Sequence, residues 1–314
     1  MNYKFFNPNQ GPWWHVWAPA AVLKVVGEDA LSFLQGQLSQ DLLVPAGPNC
    51  VAYGLWLNHK GRVLADSFAL VHGPAEVWLI SYESKAAFLR QHLENHIIAD
   101  EVTIEDLTAG WTGVAAGGPG AMEKLQTMSG QSPASVPPPE KFGRLGQGWV
   151  FRGRRTAAES WEWLVPAEGG PTIGGDGEQM SSMALEGMRI TDGVPSVPLD
   201  LGPGDLPHEA GLDQVALSYT KGCFLGQEVM ARLRTGKIRR RLLRVAGSGE
   251  PPARHPTPLF QAGRQVGELR SSAPDGGGGW VGLAMVTLLG LNGAAPLTAG
   301  PEATSPAWRL LDVP

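Results

Sequence analysis

Cysteine is scarce in this chain: of 314 residues only Cys50 and Cys223 are cysteines, far apart and with no CxxC pair or nearby histidine. That argues against a disulfide framework and against a structural zinc site. Charge is also sparse, at 18% of residues, and the net value of -5 gives no basis for a general nucleic-acid or membrane binder. No run reaches the roughly 18 uninterrupted apolar residues that a membrane helix needs. The opening Met1-Asn2-Tyr3-Lys4-Phe5-Phe6 lacks the apolar core and small-residue cleavage site of a signal peptide. A soluble, reducing, cytoplasmic setting is therefore expected. GxSxG, Walker and Rossmann fingerprints are missing, so hydrolase, NTPase and dinucleotide-oxidoreductase classes have no support. His92 and His96 share a helical face, but without an HExxH pattern no metal site is expected there.

Apolar residues are plentiful at 43%, enough for a folded core, and the length suits two or three domains. The 42 glycines and 26 prolines point to many turns. Trp13, Trp14 and Trp17 fall close together; such a cluster either stacks on a flat heterocycle or, more commonly, is buried in a core. Residues 21–26 form an apolar strand pattern ended by Gly27, after which Asp29 is placed to N-cap a helix carrying Leu31, Leu34 and Leu38. Strands are expected at 51–57 and 62–71, joined by a hairpin turn Asn58-His59-Lys60-Gly61 in which Gly61 takes positive φ. A strand at 76–81, a helix over 84–98 and strands at 101–107 and 111–115 follow. Residues 129–139 are expected as an exposed loop. Strands are expected at 149–151 and 161–165, glycine-rich interruptions at 169–175, and a helix over 178–190 closed by Gly193 and Pro195. After Arg241 only short apolar runs separated by Gly, Pro and Ser remain, the pattern of a small β-barrel or sandwich with a hairpin tip at 276–279. This mixture of hairpins and helices is α+β rather than a doubly wound parallel sheet.

The chemistry concentrates in Lys221-Gly222-Cys223-Phe224-Leu225-Gly226-Gln227-Glu228. Residues 214–220 are expected as a strand and 227–233 as a helix, with the glycines at the turn, where backbone can approach a ligand closely. A helix beginning near Gly226 would aim its free N–H groups and dipole at Cys223, and Lys221 would add positive charge; both favour the reactive thiolate. A lone cysteine is more often a small buried hydrophobe, and it is the surrounding octapeptide that points to a functional thiol.

The octapeptide and the Val229-Met230-Ala231-Arg232 that follows it resemble the KGCYTGQE-type signature of the YgfZ/GcvT family of folate-binding proteins. Three further stretches resemble that family: Gly27-Glu28-Asp29-Ala30 with Leu34-Gln35-Gly36-Gln37-Leu38, Arg189-Ile190-Thr191-Asp192-Gly193-Val194-Pro195, and Leu206-Pro207-His208-Glu209-Ala210. The resemblance implies a multi-domain α+β fold of three GcvT-like lobes. These would be an N-terminal folate-binding domain over 1–100, a second α+β domain over 101–235 ending in the octapeptide, and a C-terminal β-barrel over 236–314. It implies tetrahydrofolate, or a one-carbon derivative of it, as cofactor. It also implies a role in assembling or repairing iron–sulfur proteins, tRNA-modifying enzymes among them, with iron–sulfur client or assembly proteins as partners. Neither direct nucleic-acid contact nor a membrane is expected.

On that resemblance Cys223 and Lys221 are the candidate catalytic groups, and Asp66, Arg189, Gly222, Gly226, Gln227, Glu228 and Arg232 the candidate cofactor-binding residues. The alternative is a folate-dependent aminomethyltransferase of the glycine-cleavage T-protein type. Those enzymes resemble G-x-x-x-D-D where this chain has Gly61-Arg62-Val63-Leu64-Ala65-Asp66, and R-x-E-x-G where it has Arg189-Ile190-Thr191-Asp192-Gly193. One acid is thus replaced by Ala65 and another is shifted or lost. Arg232, Arg234, Lys237, Arg239, Arg240, Arg241 and Arg244 form the one dense basic cluster. It is either a solvated surface or a rim that steers the polyglutamate tail of folate.

Overall fold

The computed structural model describes residues 11–131, 136–168, 178–302 and 307–312. The first six residues, the middle of the expected loop at 129–139 and the glycine-rich interruptions at 169–175 lie outside the described residues. Chain order runs β1 (Trp13–Trp17), β2 (Ala21–Val26), α1 (Ala30–Gln37), β3 (Cys50–Leu57), β4 (Val63–Gly73), β5 (Glu76–Ser81), α2 (Ala86–Glu94) and β6 (Thr103–Asp106). Then come β7 (Trp111–Gly117), α3 (Ala121–Ser129), β8 (Gly143–Leu145), β9 (Gly148–Arg152), β10 (Ser160–Pro166), β11 (Glu178–Gln179) and α4 (Ser182–Thr191). Short 3₁₀ turns at Pro207–Ala210 and Leu212–Gln214 precede α5 (Gln227–Leu233). The chain ends in β12 (Arg240–Ser248), β13 (Thr257–Gln261), β14 (Arg264–Pro274), β15 (Gly279–Thr287) and β16 (Arg309–Leu310).

Three sheets result, and each follows from where its apolar residues must go. The first has the order β3-β4-β5-β2-β6 and its neighbouring strands are antiparallel. Successive side chains of a strand point to opposite faces, and here both faces are buried. Leu23, Val25, Ala65, Ala69 and Leu79 pack with Phe33, Leu34, Leu89 and Leu93 of α1 and α2. Val22, Phe68, Leu70 and Ile80 pack instead with Trp13, Trp17, Phe151 and Leu164 of the second sheet. That double covering explains why β2 is almost continuously apolar rather than alternating.

The second sheet has the order β11-β1-β7-β10-β9-β8. Its inner face meets the first sheet. Its outer face, with Trp14, Val114, Trp161 and Trp163, packs on Leu125 and Met128 of α3. The opening strand therefore belongs to the second lobe, pairing Trp13 to Trp17 with Gly117 to Gly113, although it precedes the first lobe in sequence. Apart from His15 its residues are apolar on both faces, which a sheet covered on both sides accommodates, and Trp13, Trp14 and Trp17 are all buried. Gly113 and Gly117 face Trp17 and Trp13 so closely that an added Cβ at either would sit about 2.2 and 2.4 Å from an indole carbon.

The third sheet, β13-β14-β15-β12-β16, curls around Val245, Leu259, Leu269, Trp280 and Trp308. Isolated bridges Phe260↔Thr298 and Leu297↔Trp308 link its two edges through residues 297–298, closing it into a small barrel. Its expected hairpin tip holds, with Asp275 Oδ1 accepting from the N–H groups of Gly277 and Gly279.

Several local expectations are revised. Asp29 precedes α1, but its carboxylate accepts from Glu101 N–H (2.9 Å) rather than capping the helix. The expected helices over 84–98 and 178–190 shorten to α2 and α4, the latter capped by Ser181, whose Oγ accepts from Ala184 N–H. Residues 214–220 are turns, not a strand, because Ser39, Gln40 and Lys221 hold them against the end of α1. Among the described residues no helix is long and apolar enough to cross a membrane.

Gly113→Val should force the Trp17 indole out of its seat and lower unfolding free energy by about 1–3 kcal/mol. Urea denaturation followed by tryptophan fluorescence measures this, and an unchanged midpoint would show that the β1–β7 pairing does not depend on that close approach.

Candidate functional site

Strand alternation decides what lies between the two sheets. Asp66 shares the inner face of β4 with Phe68, while Ala65 faces the helices. Tyr53 on β3, Trp17 at the end of β1 and Tyr82 just after β5 converge on the same space. Together with Arg154 and Arg155 after β9, and Glu186 and Arg189 from α4, they line a cavity of about 500 Å³. That lies within the usual size range of small-molecule sites.

Asp66 is buried at the wall of this cavity and is surrounded by hydroxyls. Its Oδ2 accepts from Tyr53 OH (2.8 Å) and its Oδ1 from Ser84 Oγ (2.9 Å), with Ser81 Oγ at 3.1 Å. Burial raises its pKa above the ordinary 3.8, and those three hydrogen bonds, with the charge of Arg154, offset only part of the rise. Tyr53 is pushed well above 10 by burial and then by the Asp66 charge. Arg154 lies over the Tyr53 ring at 4.2 Å and, among the described residues, has no carboxylate within ion-pair distance.

A second polar group backs the wall formed by Tyr82 and Arg155. Glu162, fully buried on the inner face of β10, accepts at Oε1 from Tyr82 OH (2.7 Å) and Arg155 Nε (3.1 Å). The Arg155 guanidinium is sandwiched between the rings of Tyr82 (3.6 Å) and Trp17 (4.5 Å). Glu162 Oε2 and Arg155 Nη2 are buried without a hydrogen-bond partner among the described residues. Such orphaned atoms are costly unless something else completes them.

Arg189 anchors the third wall. Its guanidinium donates to Asp200, Glu186, the Val194 carbonyl and Ser271 Oγ (3.3 Å), tying α4 to the following loop and to β14 of the barrel. Burial works against its charge, but Glu186 and Asp200 outweigh that and hold its pKa above the ordinary arginine value. Asp200 is itself fully buried.

The octapeptide lies elsewhere: none of residues 221–232 lines the cavity. Cys223 is exposed. Lys221 is 7% exposed, and its ammonium donates to the carbonyls of Gln35 (2.6 Å), Leu38 (2.8 Å) and Gln40 (2.9 Å). It thus caps the C-terminal end of α1, whose last carbonyls lack helical partners. Burial pulls its pKa down to about 8, with Asp41 acting in the opposite sense, so it remains an ammonium at neutral pH. Gly226 takes φ +85 at the start of α5, and a Cβ there would sit 2.8 Å from the Asn58 carbonyl. Gly61, at φ +66, likewise backs onto Met230 and Val229. These glycines allow the first hairpin and α5 to approach closely. Gly222 is exposed with open space around it, and Gln227 is half-buried at the first position of α5. Glu228 and Arg232 form a surface i,i+4 pair at 3.8 Å.

The candidate residues thus divide into Asp66 and Arg189 in the cavity and the 221–232 group on a separate surface. Sequence reasoning missed Tyr53, Tyr82, Arg154, Arg155 and Glu162. An acid in the apolar run Ser160-Trp161-Glu162-Trp163-Leu164 was the available signal, since a carboxylate at a core position needs a partner. Of the basic cluster, no member lines the cavity; Arg240 pairs with Asp205 and Glu209, and Arg244 with Asp312. Tail steering at the cavity therefore loses its basis.

A GCVT N-terminal domain family profile matches residues 19–145, and a CAF17 C-terminal beta-barrel domain profile matches residues 239–309. The human mitochondrial iron–sulfur cluster assembly factor IBA57 is 31% identical over 284 residues, covering 84% of this chain and 74% of that protein. The mouse counterpart is 30% identical over 307 residues, covering 89% and 79%. An aminomethyltransferase of Synechococcus sp. (strain RCC307) is 26% identical over 265 residues, covering 80% and 72%. In fold, the chain is similar to the crystal structure of glycine cleavage system aminomethyltransferase T from Bartonella henselae. The TM-score is 0.81 at 18% identity, covering 98% of this chain and 87% of that one.

Arg189→Ala should cost about 3–5 kcal/mol, because it leaves Asp200 buried and unpaired. Lys221→Met should also destabilise, by about 2–3 kcal/mol, while iodoacetamide still alkylates Cys223 in the folded protein at the wild-type rate. Denaturant midpoints and mass-spectrometric labelling check both. A stable Lys221→Met variant with a slowed thiol would instead make Lys221 a partner of the cysteine.

Proposed function

The chain belongs to the IBA57 family of iron–sulfur cluster assembly factors, built from a GCVT-like domain and a CAF17-type barrel, and from that premise we propose that it binds tetrahydrofolate in the cavity between its two sheets and assists assembly or repair of iron–sulfur proteins. The observation that carries the folate assignment is the buried Asp66 carboxylate at the wall of an aromatic-lined cavity. A pterin is flat and presents ring N–H donors. Asp66 can accept them, Trp17, Tyr53 and Tyr82 offer aromatic surface, and Arg154 supplies a cation to an anionic tail. When bound, tetrahydrofolate supplies one-carbon chemistry. The protein residues fix its orientation and exclude water.

Cys223 is the group on which iron–sulfur work would centre. It is the exposed thiol of a rigidly seated loop, and a single cysteine cannot hold a cluster by itself, so further ligands come from a client or assembly partner. Both cysteines are free, which suits a reducing compartment such as the cytoplasm. Clients that modify tRNA belong to the same proposal.

The aminomethyltransferase reading is supported by the likeness of fold and the Synechococcus relative. Two departures weigh against it. Ala65 faces the helices, and Asp192 lies outside the cavity, accepting from Ala157 N–H at 2.8 Å.

Calorimetric titration with tetrahydrofolate tests the assignment. Wild type and Cys223→Ala should bind alike, whereas Asp66→Ala should lose about tenfold or more in affinity. Absence of binding by wild type would remove the folate assignment. A linked pH effect is also expected. The folded state holds the Asp66 proton more tightly than the unfolded chain does, so its contribution to stability is greatest below about 3.8 and falls as pH rises through the raised folded value. Asp66→Asn should flatten that fall in thermal melts taken from pH 4 to 7; an identical pH profile would place the titration elsewhere.

A further inference from the structure

A second concavity, of about 620 Å³, lies where the first hairpin, the Pro207–Ala210 turn, the end of α5 and the start of β12 meet. Its lining carries Arg62, Lys237, Arg239 and Arg240 against one carboxylate, Glu209, a local excess of three positive charges on a chain whose net charge is -5. Arg240 is committed to Glu209 (2.8 Å) and Asp205 (3.0 Å), and Arg270 completes that network through Asp205 (2.6 Å). Arg62, Lys237 and Arg239 have no carboxylate partner among the described residues; the Arg62 guanidinium donates to the Gly204 carbonyl, at 2.8 Å.

Two further features set the character of the ligand. Leu206, Leu233 and Ile238 give the groove an aliphatic lining, and among the described residues no Phe, Tyr or Trp lines it. His208 is buried in its wall, with Nε2 paired to Tyr219 OH (2.8 Å) and Nδ1 left without a partner. Either partner of the Tyr219 hydroxyl–Nε2 pair can donate, and Asp213 Oδ2 lies 4.0 Å from Nε2.

We propose that this groove binds an extended segment of a partner protein in which acidic and aliphatic side chains alternate. Carboxylates meet Arg62, Lys237 and Arg239, and aliphatic side chains cover Leu206, Leu233 and Ile238. Single-stranded nucleic acid is the poorer match, because it needs aromatic platforms for its bases. The groove begins where α5 ends, one helix of seven residues, about 10 Å, beyond the loop that displays Cys223. A partner anchored here is thus positioned to reach that thiol. The inference does not depend on the folate assignment.

The test uses the full chain and fluorescence anisotropy with a fluorescein-labelled octapeptide of alternating Glu and Leu. The expected result is saturable binding that weakens as salt is raised and falls at least about tenfold in Arg62→Glu/Lys237→Glu/Arg239→Glu. The matched reversal Arg254→Glu/Arg264→Glu/Arg309→Glu on the barrel should bind as wild type does. Thermal melting and tetrahydrofolate titration of the groove variant, both expected to be unchanged, separate this idea from the folate assignment and from misfolding. No binding by wild type, or equal loss in both triple variants, overturns it. So does tighter groove-dependent binding of labelled octauridine, which would assign the groove to RNA.

Discussion

The first sheet is buried on both faces, by helices on one side and by a second sheet on the other, and the rest of the structure depends on this. Under that constraint every inward-pointing polar side chain must find partners or line a cavity, because an unpartnered carboxylate in an apolar layer costs several kcal/mol. Among the described residues, Asp66 and Glu162 are buried acids that alternation directs into the interlayer. One is surrounded by hydroxyls and the other is held by a tyrosine and an arginine. Neutral hydroxyls stabilise a carboxylate less than a cation would, so Asp66 keeps a raised proton affinity in the fold. A ligand bringing N–H donors meets a carboxylate whose need for them is unmet, which is how stability is exchanged for binding.

The octapeptide turns out to serve two purposes at once. Lys221, Phe224 and Gly226 build a platform: a buried ammonium capping α1, a ring in the core beneath the loop, and a glycine seated against the hairpin turn. Cys223, Gly222 and Glu228 are what the platform displays. Positive charge beside the cysteine in sequence did not mean positive charge devoted to the thiol, because the lysine ammonium already has three carbonyl acceptors within 2.9 Å.

Much of the fold was legible because it rests on local rules. The β3–β4 hairpin was fixed by Asn58-His59-Lys60-Gly61, where Asn58 Oδ1 accepts from Lys60 and Arg62 N–H and Gly61 takes φ +66. The barrel was visible in its short apolar runs. Tertiary demands were not visible. Asp29 lost its helix-capping role to a strand-end amide, 214–220 lost strand structure to contacts with the end of α1, and β1 joined a sheet made by residues a hundred positions later. In the cavity, Asp66 was found through a family pattern, but Tyr53, Tyr82 and Arg155 required knowing which strands face each other. Single strands carry parity, not partners.

The β3–β4 hairpin also relates the two centres to each other. Its ladder pairs Cys50 with Val71 at one end and Leu57 with Val63 at the other, so it is hydrogen-bonded along its length. Tyr53 and Asp66 sit within it, and its turn packs against Gly226, Val229 and Met230 beside the thiol loop. Gly61 and Asp66 are five positions apart, at most about 17 Å of chain. Leu225 N–H to the Gly36 carbonyl (3.2 Å) and Lys221 to the end of α1 pin the same loop from the other side. A loop held from two directions by elements of one lobe cannot move independently of it. The thiol and the cavity are therefore kept at a set separation. A partner docked at Cys223 meets a surface pre-formed by the lobe that holds the cavity, rather than a flexible arm that must be ordered on binding.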